Sequence, residues 1–141
     1  EAEFVIAGKS FGGYIPDFDK INNPKRVTIL QEHLSNDELV EIIEGSQLVV
    51  CPYLDASQSG VVVTAIALNR PVLVTEAGGL KEYISAGKNG LICKIDETDL
   101  AEKIIDFCVN NRFDEMKVSM KAAQDSDYLK YGNLLSEEIY K

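Results

Sequence analysis

The chain has no tryptophan, one histidine, four prolines and three cysteines among its 141 residues. With His33 alone and no C-x-x-C pair, a zinc cluster built from His and Cys has too few ligands. The cysteine count is odd, so a complete disulfide framework is not expected; Cys51 and Cys93 sit inside apolar runs and read as small buried hydrophobes. Cysteine usage of this kind points to the reducing cytoplasm. No apolar run reaches the ~18 residues that a membrane-spanning helix needs, and no signal peptide opens the chain. Basic residues are also scarce, 14 Lys and Arg against 23 Asp and Glu, for a net charge of -9. A nucleic-acid binder or a basic membrane-surface module needs the opposite balance, so no nucleic acid and no direct membrane contact are expected. A local anion pocket remains compatible with this charge, because backbone N–H groups at a helix start make one without any cationic side chain.

What is present is an ordinary globular composition, 45% apolar and 26% charged, at the length of one domain. No internal boundary, repeat or low-complexity tract divides residues 1–141. Short apolar runs recur at Phe4–Ala7, Val27–Leu30, Leu48–Cys51, Pro71–Thr75 and Leu91–Cys93. Continuous runs of this kind suit parallel strands buried on both faces. Amphipathic stretches lie between them. Ser35-Asn-Asp-Glu38 is a capping box that opens a helix with Leu39, Ile42 and Ile43 on one face. Gly60–Asn69 is nearly all apolar; its three valines allow strand, but a crossover between two parallel strands requires a helix there. Leu80–Ala86 reads as a further helix stopped by Gly87. Asp96 opens another, with Leu100, Ile104, Phe107 and Cys108 inward. Phe113–Gln124 and Asp127–Tyr140 read as two closing helices, with Ser126 or Asp127 as N-cap of the second and a loosely packed tail over 127–141. The expected fold is therefore α/β: an open parallel sheet of about five strands with helices on both faces, in the order 27–30, 3–7, 48–51, 71–75, 91–93.

Several motifs fail on inspection. Gly8-Lys-Ser10 resembles the end of a P-loop, but the glycine required at position 3 is Glu3. Gly8-x-Ser-x-Gly12-Gly13 has its glycines misplaced for a dinucleotide fingerprint and reads either as a plain loop or as a glycine loop approaching a ligand. Asp125-Ser-Asp127 has the spacing of a metal-binding pair but also suits a helix start, and no metal site is assigned. A phosphoreceiver needs acidic residues where Gly8-Lys9 and Cys51-Pro52 stand. The informative stretch is Pro52–Gly60. A strand ends at proline, and a polar loop enters a helix through Ser59-Gly60. That places free N–H groups at the carboxyl edge of an open α/β sheet, where a diphosphate is the natural guest. Gly78-Gly79 starts the next element beside it.

These residues carry a resemblance. Val5-Ile-Ala-Gly8, Val27-Thr-Ile-Leu30 with Leu34-Ser-x-x-Glu38-Leu39, Leu48–Tyr53, Arg70-Pro-Val-x-Val-Thr-Glu-Ala-Gly78-Gly-Leu-x-Glu82 and Asn89-Gly-Leu-Ile follow one another in the order and spacing of the family 4 glycosyltransferases. The chain resembles the C-terminal, donor-binding half of their GT-B fold over roughly residues 3–110, and Tyr128 with Ile139-Tyr140 resembles the closing helix. The resemblance implies a retaining transferase that moves a sugar from a nucleotide-diphosphate donor to a glycan or lipid-linked acceptor, with no cofactor. It implies that Ser59, Gly60 and Val61 hold the diphosphate. Asp55, Gln58, Thr64, Gly78, Gly79 and Leu80 would surround the sugar and ribose, and His33 would lie near the nucleobase. The family's two glutamates align with Ala56 and Thr64, in a branch that reads Ser57-Gln58-Ser59-Gly60. The phosphate-binding Arg and Lys strand and the acceptor-binding N-terminal half, which would be this chain's own partner, are expected upstream. The 141-residue stretch alone is therefore expected to bind nucleotide sugars weakly, at sub-millimolar to millimolar level, and not to catalyse transfer. Through that N-terminal half the enzyme would work at the inner face of the membrane. Two other readings remain: a non-catalytic binding module with a degenerate donor site, or a GT-B sugar epimerase.

Overall fold

Residues 1–56 and 58–139 are described by the computed structural model. The chain divides into two compact units, Glu1–Ile42 and Ile43–Lys141.

In the first unit, β1 (Phe4–Ala7) and β2 (Val27–Leu30) pair in parallel, with Phe4 opposite Val27 and Ala7 opposite Leu30. The Gly8 N–H extends the pairing onto the Leu30 carbonyl at 3.0 Å. The connection is loop with two short 3-10 turns, Phe18–Lys20 and Pro24–Arg26, the second opened by a proline whose missing N–H costs nothing there. Arg26 reaches back to the Glu1 carboxylate. Burial on both faces was expected of every strand, and β1 corrects that: all four of its residues are exposed. Two strands alone supply no layer to cover either face. The capping box forms as expected. The Ser35 N–H donates to Glu38 Oε2 at 2.7 Å, and the Glu38 N–H donates to Ser35 Oγ at 3.2 Å. The backbone bond from Ser35 holds the Glu38 carboxyl below its usual range, with the Ser35 hydroxyl contributing next. This box starts α1 (Asn36–Glu44), on which Ile43 is buried.

The second unit is built on β3 (Val49–Cys51), β4 (Val72–Thr75) and β5 (Gly90–Cys93), parallel throughout with β4 in the centre. The five strands and their neighbours within each sheet are those expected, but they form a two-stranded and a three-stranded sheet rather than one. Between β3 and β4 runs α2 (Gly60–Ala67), settling the helix-or-strand alternative as helix, with Val62 and Ala65 fully buried three residues apart. Asn69 then turns through a left-handed φ of 55°. Its amide donates to Gln124 Oε1 at 2.8 Å, and Gln124 returns a bond to the Ala67 carbonyl at 3.3 Å. Arg70 lays its guanidinium on the Glu44 carbonyl at the end of α1, at 2.8 and 3.2 Å, and over the Phe113 ring. A cation at a helix C-terminus meets orphan carbonyls and the negative end of the dipole.

Three expectations on helices are corrected. Residues 80–86 form only a 3-10 turn, Leu80–Tyr83. The Asn89 side chain takes the Ser85 N–H at 2.8 Å and donates to the Tyr83 carbonyl at 3.0 Å, so groups an α-helix would use are clamped in a turn. On α3 (Glu97–Val109), capped by Asp96, Phe107 is buried but Cys108 is exposed, since one residue further round the helix faces away from the core. The two closing helices are one, α4 (Arg112–Ile139), continuous through Ser126 and Asp127, so neither is an N-cap. Met116 and Met120 bury its first half. The packing of side chains from 126 onward, and Tyr140, lie outside the described residues. Arg112 joins α4 to α3 through two bonds to Asp106, at 2.6 and 3.2 Å, and holds that carboxyl below its usual range. Among the described residues, no helix is long and apolar enough to cross a membrane.

Gly90 begins β5 where a Cβ would stand 2.3 Å from the Val72 carbonyl oxygen. Gly90→Ala is expected to force β5 off β4 and to cost about 1–3 kcal/mol, the usual range for overpacking, read as a lower midpoint in urea denaturation.

Candidate functional site

Pro52 has no N–H, so it ends β3 at the carboxyl edge of the sheet. The chain beyond it is fastened from β4: the Thr75 hydroxyl, almost fully buried, donates to the Tyr53 carbonyl. Further along, the Ala56 carbonyl lies on the glycine turn after β4 and accepts from the Gly79 N–H at 3.1 Å. A Cβ at Gly78 would sit 1.9 Å from that carbonyl oxygen, and Gly78 has a left-handed φ of +52°. Only glycine satisfies both conditions. The two loops that the sequence singled out are thus one structure at one edge of the sheet.

Ser59 is the N-cap of α2, in extended conformation and 7% exposed. Its Oγ accepts from the Val62 N–H at 3.3 Å and donates to Tyr53 Oη at 3.4 Å, while its carbonyl accepts from the Val63 N–H at 3.2 Å. Two N–H groups of the first turn, those of Gly60 and Val61, find no acceptor among the described residues. They carry the positive end of the helix dipole. Gly60 is exposed, has no left-handed φ, and no atom lies within 4 Å of where its Cβ would be. Neither backbone conformation nor packing among the described residues requires glycine there. Burial pushes the Tyr53 phenol up, an effect that the bond from Ser59 partly offsets. Burial likewise raises the Cys51 thiol, with Tyr53 pulling it back.

The other expected residues divide into those that face out and those that support. Asp55 and Gln58 are exposed on the loop. The Thr64 hydroxyl donates to the Gly60 carbonyl one turn back, at 2.7 Å, so its proton is committed inside α2. The Gly79 N–H is spent on Ala56 and the Leu80 N–H on the Ala77 carbonyl at 3.3 Å, while the Leu80 side chain is fully buried. Gly78, Gly79 and Leu80 therefore brace the turn. His33 is exposed, after β2 in the first unit. Sequence reasoning missed Tyr53 and Thr75. The available signals were a hydroxyl-bearing residue, Thr75, ending an otherwise aliphatic strand and a tyrosine inside the Pro52–Gly60 stretch itself. Among the described residues, no group of three or more His, Cys, Asp or Glu is placed to hold a metal.

The two glycines differ in what an added methyl meets. Gly78→Ala is expected to lower stability by more than ~1 kcal/mol and to displace the 52–59 loop, whereas Gly60→Ala is expected to stay within ~0.5 kcal/mol of the parent. Paired urea denaturation curves compare them, and equal midpoints would contradict this division of roles.

Residues 1–110 match the family described as Glycosyl transferases group 1. An uncharacterized glycosyltransferase of Methanocaldococcus jannaschii, MJ1178, is 33% identical over 98 residues, which is 69% of this chain and 27% of that protein. Among solved structures, Anabaena HepE (Alr3699) in complex with UDP superposes with a TM-score of 0.67 at 18% identity, over 99% of this chain and 41% of that one. The same protein with UDP-glucose gives 0.63 at 17%, over 96% and 40%. Sucrose-phosphate synthase from Thermosynechococcus elongatus gives 0.60 at 20%, over 84% and 32%. This chain thus spans between a quarter and a half of the length of each. The fold these neighbours share is GT-B, and on the match over residues 1–110 this chain belongs to the group 1 glycosyltransferases.

Proposed function

We propose that this chain is the donor-binding half of a retaining glycosyltransferase that transfers a sugar from a nucleotide-diphosphate sugar to a glycan or lipid-linked acceptor. The observation that carries the reading is the start of α2. Two N–H groups, on Gly60 and Val61, lie at the carboxyl edge of a parallel sheet without an acceptor among the described residues, and none of those residues comes within 4 Å of a Cβ placed on Gly60. A diphosphate is the ligand that such a helix start and sheet edge suit. In transfer it is also the leaving group, so donors that strengthen as charge develops on it would lower the barrier. Asp55 and Gln58, exposed on the same loop, would meet the sugar or ribose. HepE, a structural neighbour, was solved with UDP and with UDP-glucose, which makes a uridine donor the first to try. We place the acceptor-binding half in a preceding N-terminal domain, and the reaction in the cytoplasm at the inner membrane face, in polysaccharide synthesis.

One observation favours a second reading, a non-catalytic nucleotide-binding module. Where the resembled family carries two glutamates, Ala56 has no polar side chain and the Thr64 hydroxyl proton is held by Gly60.

Calorimetric titration of the intact protein with UDP, GDP and ADP, then with the matching nucleotide sugars, tests the site. Gly60→Val is expected to fold and to weaken diphosphate binding by about tenfold to 150-fold, the loss of one charge-assisted hydrogen bond of roughly 1.5–3 kcal/mol. Unchanged affinity in that variant would remove the phosphate assignment. Donor binding without sugar transfer to any acceptor would favour the second reading. NMR of the product's anomeric centre reports retention or inversion.

A further inference from the structure

Tyr53 is joined both to the sheet and to the start of α2. The buried Thr75 hydroxyl at the end of β4 fixes its carbonyl. Its own hydroxyl accepts from Ser59 Oγ at 3.4 Å, and Ser59 Oγ accepts from the Val62 N–H at 3.3 Å. The bonds run in one direction: Val62 N–H to Ser59 Oγ, then Ser59 O–H to Tyr53 Oη. Ser59 therefore has its proton turned inward and its acceptor lone pair spent on the cap. Its side chain is 7% exposed and offers no donor to a ligand. Whatever anion arrives meets the Gly60 and Val61 amides, and their aim depends on how firmly Ser59 is held.

We propose that Tyr53 is a positioning residue for the donor diphosphate, acting through Ser59 to hold the first turn of α2 against the end of β4. The inference rests on the donor-site reading given above and deepens it, since it assigns Ser59 to the helix cap and leaves phosphate recognition to backbone amides. Tyr53→Phe keeps the ring and removes the acceptor of the Ser59 hydroxyl. Ser59→Ala removes the cap and the link together, while Ser59→Thr retains both.

The test is a double-mutant cycle in the intact protein, read as the Kd for UDP, or for whichever nucleoside diphosphate the parent binds, and as donor KM and kcat. Tyr53→Phe is expected to raise Kd and donor KM about three- to tenfold, the scale of one neutral hydrogen bond, with kcat within about twofold. Ser59→Ala is expected to raise Kd at least as much, and Ser59→Thr to stay close to the parent. In the Ser59→Ala background, Tyr53→Phe is expected to add nothing, because its route to the amides is already gone. Independent, multiplying effects, or a Tyr53→Phe variant that lowers the denaturation midpoint and leaves Kd unchanged, would overturn the assignment and leave the donor site standing. A parent that binds no nucleoside diphosphate would overturn the donor site and the role of Tyr53 with it.

Discussion

Val72, Leu73, Val74 and Thr75 are closed to water on both faces; the first three are paired on both edges, by β3 and β5, and Thr75 by β5. A strand in that position tolerates neither an unpaired backbone group nor an unsatisfied side chain. The one hydroxyl within it, on Thr75, must find a partner, and it does so on the chain leaving β3. Satisfying a core residue thus fastens a surface loop. The same strand sets how near β5 comes, which is why Gly90 stands opposite Val72.

From that fastening the site follows in steps. The loop after β3 is held at Tyr53 by β4 and at Ala56 by the glycine turn that β4 leads into. Between them and the helix lies Ser59, whose hydroxyl is shared between α2 and Tyr53. The cap and turn groups around Ser59 are thereby taken up in pairs, while the Gly60 and Val61 amides find no acceptor among the described residues. Their availability is a remainder of the packing around them rather than a feature added to it. Rigid support behind a small number of free donors is the arrangement that favours binding with little reorganisation.

Much of this could be read from the chain. The Ser35–Glu38 box and the Asp96 start of α3 are local chemistry, decided within four residues, and each formed where the spacing placed it. The strands were legible because aliphatic runs between proline and glycine have few alternatives. What was not legible depended on distant partners. The 80–86 segment has the composition of a helix, but Asn89 binds it as a turn. Cys108 looked inward because α3 was read with too wide an apolar face. The break expected at Asp125-Ser126 was a capping signal with no turn behind it. In the site, glycine and serine could be located from the sequence, but which of them brace and which face out could not. That difference lies in the 1.9 Å between an imagined methyl on Gly78 and the Ala56 oxygen, against the empty space over Gly60.

The same contrast has an evolutionary side. At Gly78 the fold itself rejects any side chain, so purifying selection acts there whether or not a ligand is ever bound. At Gly60 nothing among the described residues objects to a methyl, and a glycine at the first position of a helix is easily replaced by drift. Across closely related lineages, the substitution rate at position 60 relative to position 78 therefore measures continued use of the site, independently of whether the fold is maintained. A lineage that had kept the domain only as a scaffold would lose the first glycine and keep the second.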